Sequence, residues 1–406
     1  MKIILFEDNQ CERLYPIGLF RPLYRLRVGS WTLESMIELL DIPALKIVRE
    51  HFLFNDAKNN VISQDNEPLL FLNASIEPDV NYLDTIKDII QSGESFVTTS
   101  GNRVAAAYVS PDISLPDTVS VGDIGPQLLD LNLKIERNMF RTIDWPHEVI
   151  SSHLRLFRAN LDKIISTGNY SEQQPGFFVG ENVELSPSTV IDTSQGPVVI
   201  DSGVTVKHFT CLNGPIHIGE NSVIIEYSSI KDSTSIGRRC KIGGEVEGCI
   251  ISCNSNKQHH GFLGHSWVGQ WVNIGAGTSS SDLKNTYGKV RVDYGGKRME
   301  TDMQFLGSII GDFAKTAVNT SLFTGKIIGV SSMIYGTVTS NVPSFSNFAR
   351  SFGQVTEISL DQIIKTQKRM FERRDVKQTD SDIALMKRVF KMTRHERTMS
   401  EEQINF

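Results

Sequence analysis

Asp201 to Ile242 reads, in sixes, DSGVTV KHFTCL NGPIHI GENSVI IEYSSI KDSTSI GRRCKI, and every sextet ends on an aliphatic residue. With Ile200 ahead of them, Val206, Leu212, Ile218, Ile224, Ile230, Ile236 and Ile242 keep a spacing that neither a 3.6-residue helix nor a two-residue strand alternation produces. Val179, Leu185 and Ile191 precede this run on the same beat. Val268 with Ile274, then Ile310, Thr316, Leu322, Ile328 and Ile334, follow it. A six-residue period has a physical solution in which each unit forms a short strand and a corner, three units close a triangular coil, and the aliphatic residue points into the prism. Coils stack at about 4.8 Å, the interstrand spacing of any sheet. Glycine after the aliphatic position, as in Ile218-Gly219, Ile236-Gly237, Ile242-Gly243, Ile274-Gly275 and Ile328-Gly329, suits a tight corner. The spacing therefore predicts a left-handed parallel β-helix of hexapeptide repeats over residues 177–345.

A chain of 406 residues has room for further domains, and its 40% apolar and 22% charged residues are ordinary for a globular protein. A net charge of −6 argues against a general nucleic-acid partner. No run of eighteen apolar residues is present, and the apolar start Met1 to Phe6 meets Glu7-Asp8 too soon for a signal peptide. The expectation is a cytoplasmic protein with no membrane partner. Cys11, Cys211, Cys240, Cys249 and Cys253 are odd in number and include no Cys-x-x-Cys pair, which speaks against a disulfide framework or a cysteine-rich zinc site.

Residues 1–170 read as an α/β domain: a buried strand Lys2 to Phe6, a helix Thr32 to Leu40, an apolar strand Pro68 to Asn73, and a hairpin Ser95 to Val109 turning at Gly101-Asn102. A helix follows Pro146 with Ile150, Leu154, Phe157, Leu161 and Ile165 on one face, and polar Ser171 to Gly176 reads as a linker. Arg13-Leu14-Tyr15-Pro16, Arg21-Pro22-Leu23 and Val28-Gly29 resemble the start of sugar-phosphate nucleotidyltransferases. That family places phosphate-cradling glycines where this chain has Glu7-Asp8-Asn9-Gln10-Cys11-Glu12, and carboxylates there repel a triphosphate. The family's Lys after Arg-Pro is missing, and its metal-holding Asp is Asn73, a weaker ligand. The domain is expected to be degenerate, with Mg²⁺ needed only if it is active.

Two breaks in the beat mark where chemistry is expected, because loops leaving a rigid coil bring side chains together. The first lies between Ile242 and Val268 and carries Lys257, His259, His260 and His265. The second lies between Ile274 and Ile310 and carries Asp282, Asn285 and Tyr287. Val272-Asn273-Ile274-Gly275-Ala276-Gly277-Thr278, preceded by His259 and Leu263-Gly264 and followed by Ile309-Ile310-Gly311-Asp312, resembles the acetyltransferase half of the bifunctional N-acetylglucosamine-1-phosphate uridylyltransferase/glucosamine-1-phosphate acetyltransferase family. The resemblance implies an acetyl-CoA-dependent acyltransferase of UDP-GlcNAc biosynthesis type, acting as a homotrimer on an amino-sugar phosphate or nucleotide-linked amino sugar. It assigns His259 as general base and Asn273 as its catalytic companion, with Ala276 and Val318 contacting the acetyl-CoA co-substrate. Lys231, Lys257, Asn285 and Tyr287 are the implied substrate contacts. The pattern departs where the family has Tyr and this chain has Phe262, where its Lys is Cys249, and where its Asn-Tyr is Asp282-Leu283. Imidazole suits base work at neutral pH because its ordinary pKa lies near 7.

Three other readings stay open. The N-terminal domain is an active sugar-1-phosphate nucleotidyltransferase; or His260 and His265, spaced His-x4-His, hold zinc as in γ-type carbonic anhydrases; or the prism is a non-catalytic binding scaffold. Residues 355–406 read as a short helical extension, Leu360 to Arg373 and Asp382 to Met392, capped at Thr379 and locally basic.

Overall fold

The computed structural model describes residues 1–52, 66–115 and 121–398, which form two compact units, Met1–Pro146 and His147–Phe406. The first is a mixed six-stranded sheet of order β2-β1-β3-β5-β4-β6, from β1 (Lys2–Phe6), β2 (Ala44–Ile47), β3 (Leu69–Asn73), β4 (Phe96–Ser100), β5 (Arg103–Val109) and β6 (Lys134–Arg137). β1 lies parallel to both β2 and β3, and the β4–β5 hairpin turns at Gly101-Asn102 as its sequence predicts. Ile4, Phe6, Phe71, Val97 and Ala107 are buried together in its core. Helices α1 (Leu33–Glu38), α2 (Tyr82–Ser92) and α3 (Ile124–Asp130) belong to this unit, and the Thr32 hydroxyl caps α1 by accepting the Ser35 amide at 3.0 Å.

The second unit is the parallel β-helix. Its three faces are an eight-stranded sheet, a nine-stranded sheet, and a third face of five strands continued by four. On the nine-stranded face Ile200 pairs with Ile218 and Ile218 with Ile236. On the split face Val206 pairs with Ile224 and Ile224 with Ile242. All eight residues from Ile200 to Ile242 are at most 2% exposed. Each such side chain contributes roughly 1.5 to 3 kcal/mol by leaving water. Where the split face has no assigned strand, Asn273 bridges Asn256 on one side and Lys315 on the other, so the ladder is unbroken. Below, the corner from the nine-stranded to the split face is corner I, from split to eight-stranded corner II, and from eight-stranded back to nine-stranded corner III.

The structure departs from the sequence reading in three places. The break between Ile242 and Val268 is not a projecting loop. The coils run through it with shortened corners, so Ile242 pairs with Lys257 where an unbroken beat would supply His260, and Ile236 pairs with Ile251. Ser171–Gln174 is not a linker but an antiparallel strand on Phe177–Val179, covering the sheet edge of the first coil. The helix α4 (Pro146–Thr167) sides with the β-helix from His147 onward, so the compact units divide before the expected boundary near residue 170. The reason is packing: Phe157 and Leu161 bury against Val199 on the nine-stranded face, and His153 Nε2 meets the Ser233 carbonyl at 2.7 Å.

The second break does leave the prism, and carries an antiparallel hairpin, Arg291–Tyr294 with Lys297–Glu300. At the far end the hairpin Ser346–Ala349 with Gln354–Glu357 closes the prism with Phe348 and Val355. Helices α5 (Leu360–Glu372), α6 (Asp380–Met392) and α7 (Arg394–Thr398) follow. Phe371 packs on Trp271 at 4.6 Å between ring centroids and Phe390 on Phe345 at 5.0 Å, so α5 and α6 cover corner I. Among the described residues, no helix is long and apolar enough to cross a membrane.

Candidate active site

Of the residues that the sequence singled out, corner II gathers His259, His260, Ala276 and Val318. His259 and His260 lie on its Gln258–Gly261 turn, Ala276 on the next, and Val318 on the one after: the Gly277 amide donates to the His260 carbonyl at 3.1 Å, and the Asn319 amide to the Ala276 carbonyl at 2.7 Å. His259 is exposed, and its ring makes no hydrogen bond among the described residues. Ala276 keeps a free amide N–H. Val318 is 65% exposed. Asn273 is exposed on the split face in the coil after Asn256, so it is brought one coil from His259 but not into hydrogen bonding with it. Higher on the same corner Phe209 and Tyr227 stack at 5.3 Å with 16° between planes, both exposed.

The sequence-derived substrate contacts fare differently. Lys257 does not face solvent at all. It occupies the inward position between Ile242 and Ile274, is 2% exposed, and its ammonium donates to the Gly243 carbonyl at 2.8 Å and the His259 carbonyl at 3.0 Å. Burial pushes its pKa down to about 8. Lys231 is already paired on the eight-stranded face, at 2.5 Å from Glu245 and 3.6 Å from Glu247, and the bond to Glu245 raises its pKa. Its position is one a lone sugar phosphate would have to win from two carboxylates. Asn285 and Tyr287 are exposed on the segment leaving the prism after Ser280, where the Tyr287 carbonyl accepts from Gln304 Nε2 at 2.8 Å. Cys249, where the resembling family has Lys, is buried and donates to the Glu247 and Leu263 carbonyls; burial lifts its thiol to about 12.

His260 and His265 sit at opposite ends of the strand Phe262–Gly264, on corners II and III, so the His-x4-His spacing does not converge on one point. His265 Nδ1 is 2.8 Å from Asp282 Oδ2, and its ring lies 5.4 Å from that of Phe305. This pair was missed from sequence. Its signal was the separation of one coil, which places residues in register whatever lies between them. It fastens both ends of the inserted segment, because the Leu306 amide donates to the Asp282 carbonyl and the Gly307 amide to the His265 carbonyl. Among the described residues no group of three or more His, Cys, Asp or Glu is placed to hold a metal ion.

In the first unit the loop after β1 is filled by its own charges. Asp8 accepts the Gln10 amide at 2.9 Å and the Arg103 guanidinium at 2.6 and 2.7 Å, and Arg103, 1% exposed, also meets Asp144 at 2.9 Å. Burial alone would raise the Asp8 pKa, but Arg103 and Asn73 hold it below its ordinary value. Glu7, fully buried, pairs with Arg49 at 2.9 Å. Asn73 turns its amide nitrogen to Asp8 (2.8 Å) and to the Val104 carbonyl (3.0 Å). Asp8 thus engages Arg103, the Gln10 amide and Asn73, and Asn73 presents N–H on that side.

Residues 3–167 match the sugar nucleotidyl transferase family model. A bifunctional sugar-1-phosphate nucleotidylyltransferase/acetyltransferase of Sulfurisphaera tokodaii is 31% identical over 157 residues, 39% of this chain and 37% of that protein. Bifunctional protein GlmU of Synechococcus elongatus is 29% identical over 37% of this chain and 29% of its own length. The GlmU of Methanococcus aeolicus is 24% identical over 71% of this chain and 70% of its own. The chain therefore covers little more than a third of the first relative and less than a third of the second. The chain is thus similar over part of its length to bifunctional sugar-1-phosphate nucleotidylyltransferase/acetyltransferases, with a match to the sugar nucleotidyl transferase model in residues 3–167 and a β-helix of six-residue repeats after it.

Proposed function

We propose that the β-helix transfers an acetyl group from acetyl-CoA to the amine of an amino-sugar phosphate or nucleotide-linked amino sugar at corner II. The observation that carries the reading is His259, an exposed imidazole with no internal partner, on the same column of turns as Ala276 and Val318. The amine nitrogen attacks the thioester carbonyl while His259 takes its proton; the C–N bond forms, the C–S bond breaks, and the departing CoA thiolate takes the proton back from the imidazolium. Phe262 has no hydroxyl to offer the tetrahedral oxyanion, and the Ala276 amide, without a partner among the described residues, is a candidate donor on this corner. Asn273 is the positioning group one coil away.

The exposed column of Phe209, Tyr227, His259 and Val318 supports a homotrimer in which a neighbouring chain completes this edge. For the first unit we favour a domain that has lost nucleotidyl transfer, because Asp8 neutralises the cationic and amide groups a triphosphate needs. Asn73, whose amide nitrogen faces Asp8 and whose oxygen accepts from Ser75, does not suit Mg²⁺. Release of free thiol from acetyl-CoA, measured against a panel of amino-sugar phosphates and nucleotide-linked amino sugars, tests the acyl-transfer reading. Thiol release with no member of the panel would favour the binding scaffold.

A further inference from the structure

Three four-residue turns of corner II share an internal device, whereas Thr278 Oγ1 meets Thr316 Oγ1 and the Ala317 carbonyl instead, and Thr189 Oγ1 bonds no described residue. The hydroxyl of the fourth residue turns inward and donates to the carbonyl of the first: Thr210 to Lys207 and Thr320 to Ala317, each at 2.9 Å, and Ser228 to Ile225. The two turns that flank Lys257 have no such residue. The earlier one is cut to Gly243-Gly244, and the later one, Gln258–Gly261, ends on glycine. Lys257 supplies a donor of another kind from within the prism, to the carbonyl of Gly243, the first residue of its turn, and to that of His259, the second of its turn. The fit is specific, because a Cβ on Gly244, whose φ is +72°, would stand 2.7 Å from the Lys257 ammonium. The charged or titratable neighbours of Lys257 are Cys249, buried inside the prism, and Glu245 on the adjoining strand.

From this geometry we infer that Lys257 is a positioning residue for His259: its buried ammonium, standing in the inward column between Ile242 and Ile274, fixes the carbonyl of His259 and with it the bearing of the imidazole on corner II. The inference rests on the proposed role of His259 as base. An apolar residue in the column would fill the volume but leave the turn free to rotate its carbonyl. A displacement of about 1 Å at a reacting group costs on the order of a hundredfold in rate.

The test compares full-length wild type, Lys257→Met and Lys257→Gln for kcat, for KM toward acetyl-CoA, and for unfolding temperature, in the thiol-release assay. Lys257→Met keeps length and volume without a donor. It should retain its fold and its KM, with kcat lowered roughly 10- to 100-fold. Lys257→Gln restores N–H donors without charge and should recover part of kcat. A merely structural lysine would lower the unfolding temperature and leave kcat per folded chain alone; a folded Lys257→Met enzyme with wild-type kcat overturns the inference. If Lys257→Met does not fold, Lys257→Gln takes its place: a severalfold lower kcat at unchanged KM supports the inference, while wild-type kcat at a lowered unfolding temperature marks a merely structural lysine and overturns it. A wild-type protein that releases no thiol refutes the acyl-transfer reading itself, and this inference falls with it.

Discussion

Replacing Lys257 by Met should make stability depend on pH in a direction and window fixed by where the ammonium sits. In the folded chain its pKa is about 8, lowered by burial; unfolded, it returns to about 10.4. The unfolded state therefore binds more protons between these values, and stability must rise as pH rises through the window. Below pH 8 the folded protein carries the full cost of a buried ammonium, about 2.4 pKa units or roughly 3 kcal/mol at 1.36 kcal/mol per unit. That cost has gone by about pH 10.4. Lys257→Met removes the titration, so the wild-type minus variant difference in unfolding free energy should climb by about 3 kcal/mol from pH 7 to pH 10. The hydrogen bonds to Gly243 and His259 add an offset that changes little with pH, because a neutral amine still has two N–H groups for two carbonyls. Lys315, pushed to about 8 by burial, titrates equally in both proteins and cancels. The assay is urea unfolding at pH 7, 8, 9 and 10 at one protein concentration, since an oligomer's stability depends on it. A difference flat to within about 0.5 kcal/mol would show that the lysine is solvated and that the interior position is wrong.

Arg103→Met should strand Asp8 and Asp144 beside an apolar side chain and cost about 3 to 5 kcal/mol, the usual penalty for breaking a buried pair from one side; hydrogen exchange should place the loss in the first unit. Light scattering should report three chains of 45.4 kDa per particle, and a stable monomer at micromolar concentration would remove the shared edge at corner II. UTP or dTTP with Mg²⁺ and sugar 1-phosphates should yield little pyrophosphate; turnover on the order of 1 per second, ordinary for a working enzyme, would mean that Asp8 yields its partners to the nucleotide.

The prism was legible because burial of one aliphatic column imposes a period on the sequence, and Ile200 through Ile242 obey it without exception. The contracted coil was not, because dropping residues from a corner shifts the phase without lengthening the chain, and Lys257 in the interior column looks like the surface lysine that most lysines are. That His259, Ala276 and Val318 share a corner was legible, because simple register along the coils brings them there. The pairing of Asp282 with His265 was not legible, because His265 belongs to the coil before it and the sequence distance between them says nothing until that register is known. The ion pairs of Lys231, an implied substrate contact, with Glu245 and Glu247 on the neighbouring strand were not legible, because only the lateral stacking of coils creates them.

The most direct test compares thiol release from acetyl-CoA by wild type, His259→Ala and His265→Ala with whichever amino sugar serves best. The account predicts that His259→Ala loses about 100- to 10,000-fold in kcat, the worth of a positioned base, with acetyl-CoA binding unchanged. His265→Ala, which only loosens the inserted segment, should lose much less. Full activity in His259→Ala, with activity lost in His265→Ala, would move the base to the Asp282-paired imidazole on corner III and contradict the assignment of corner II.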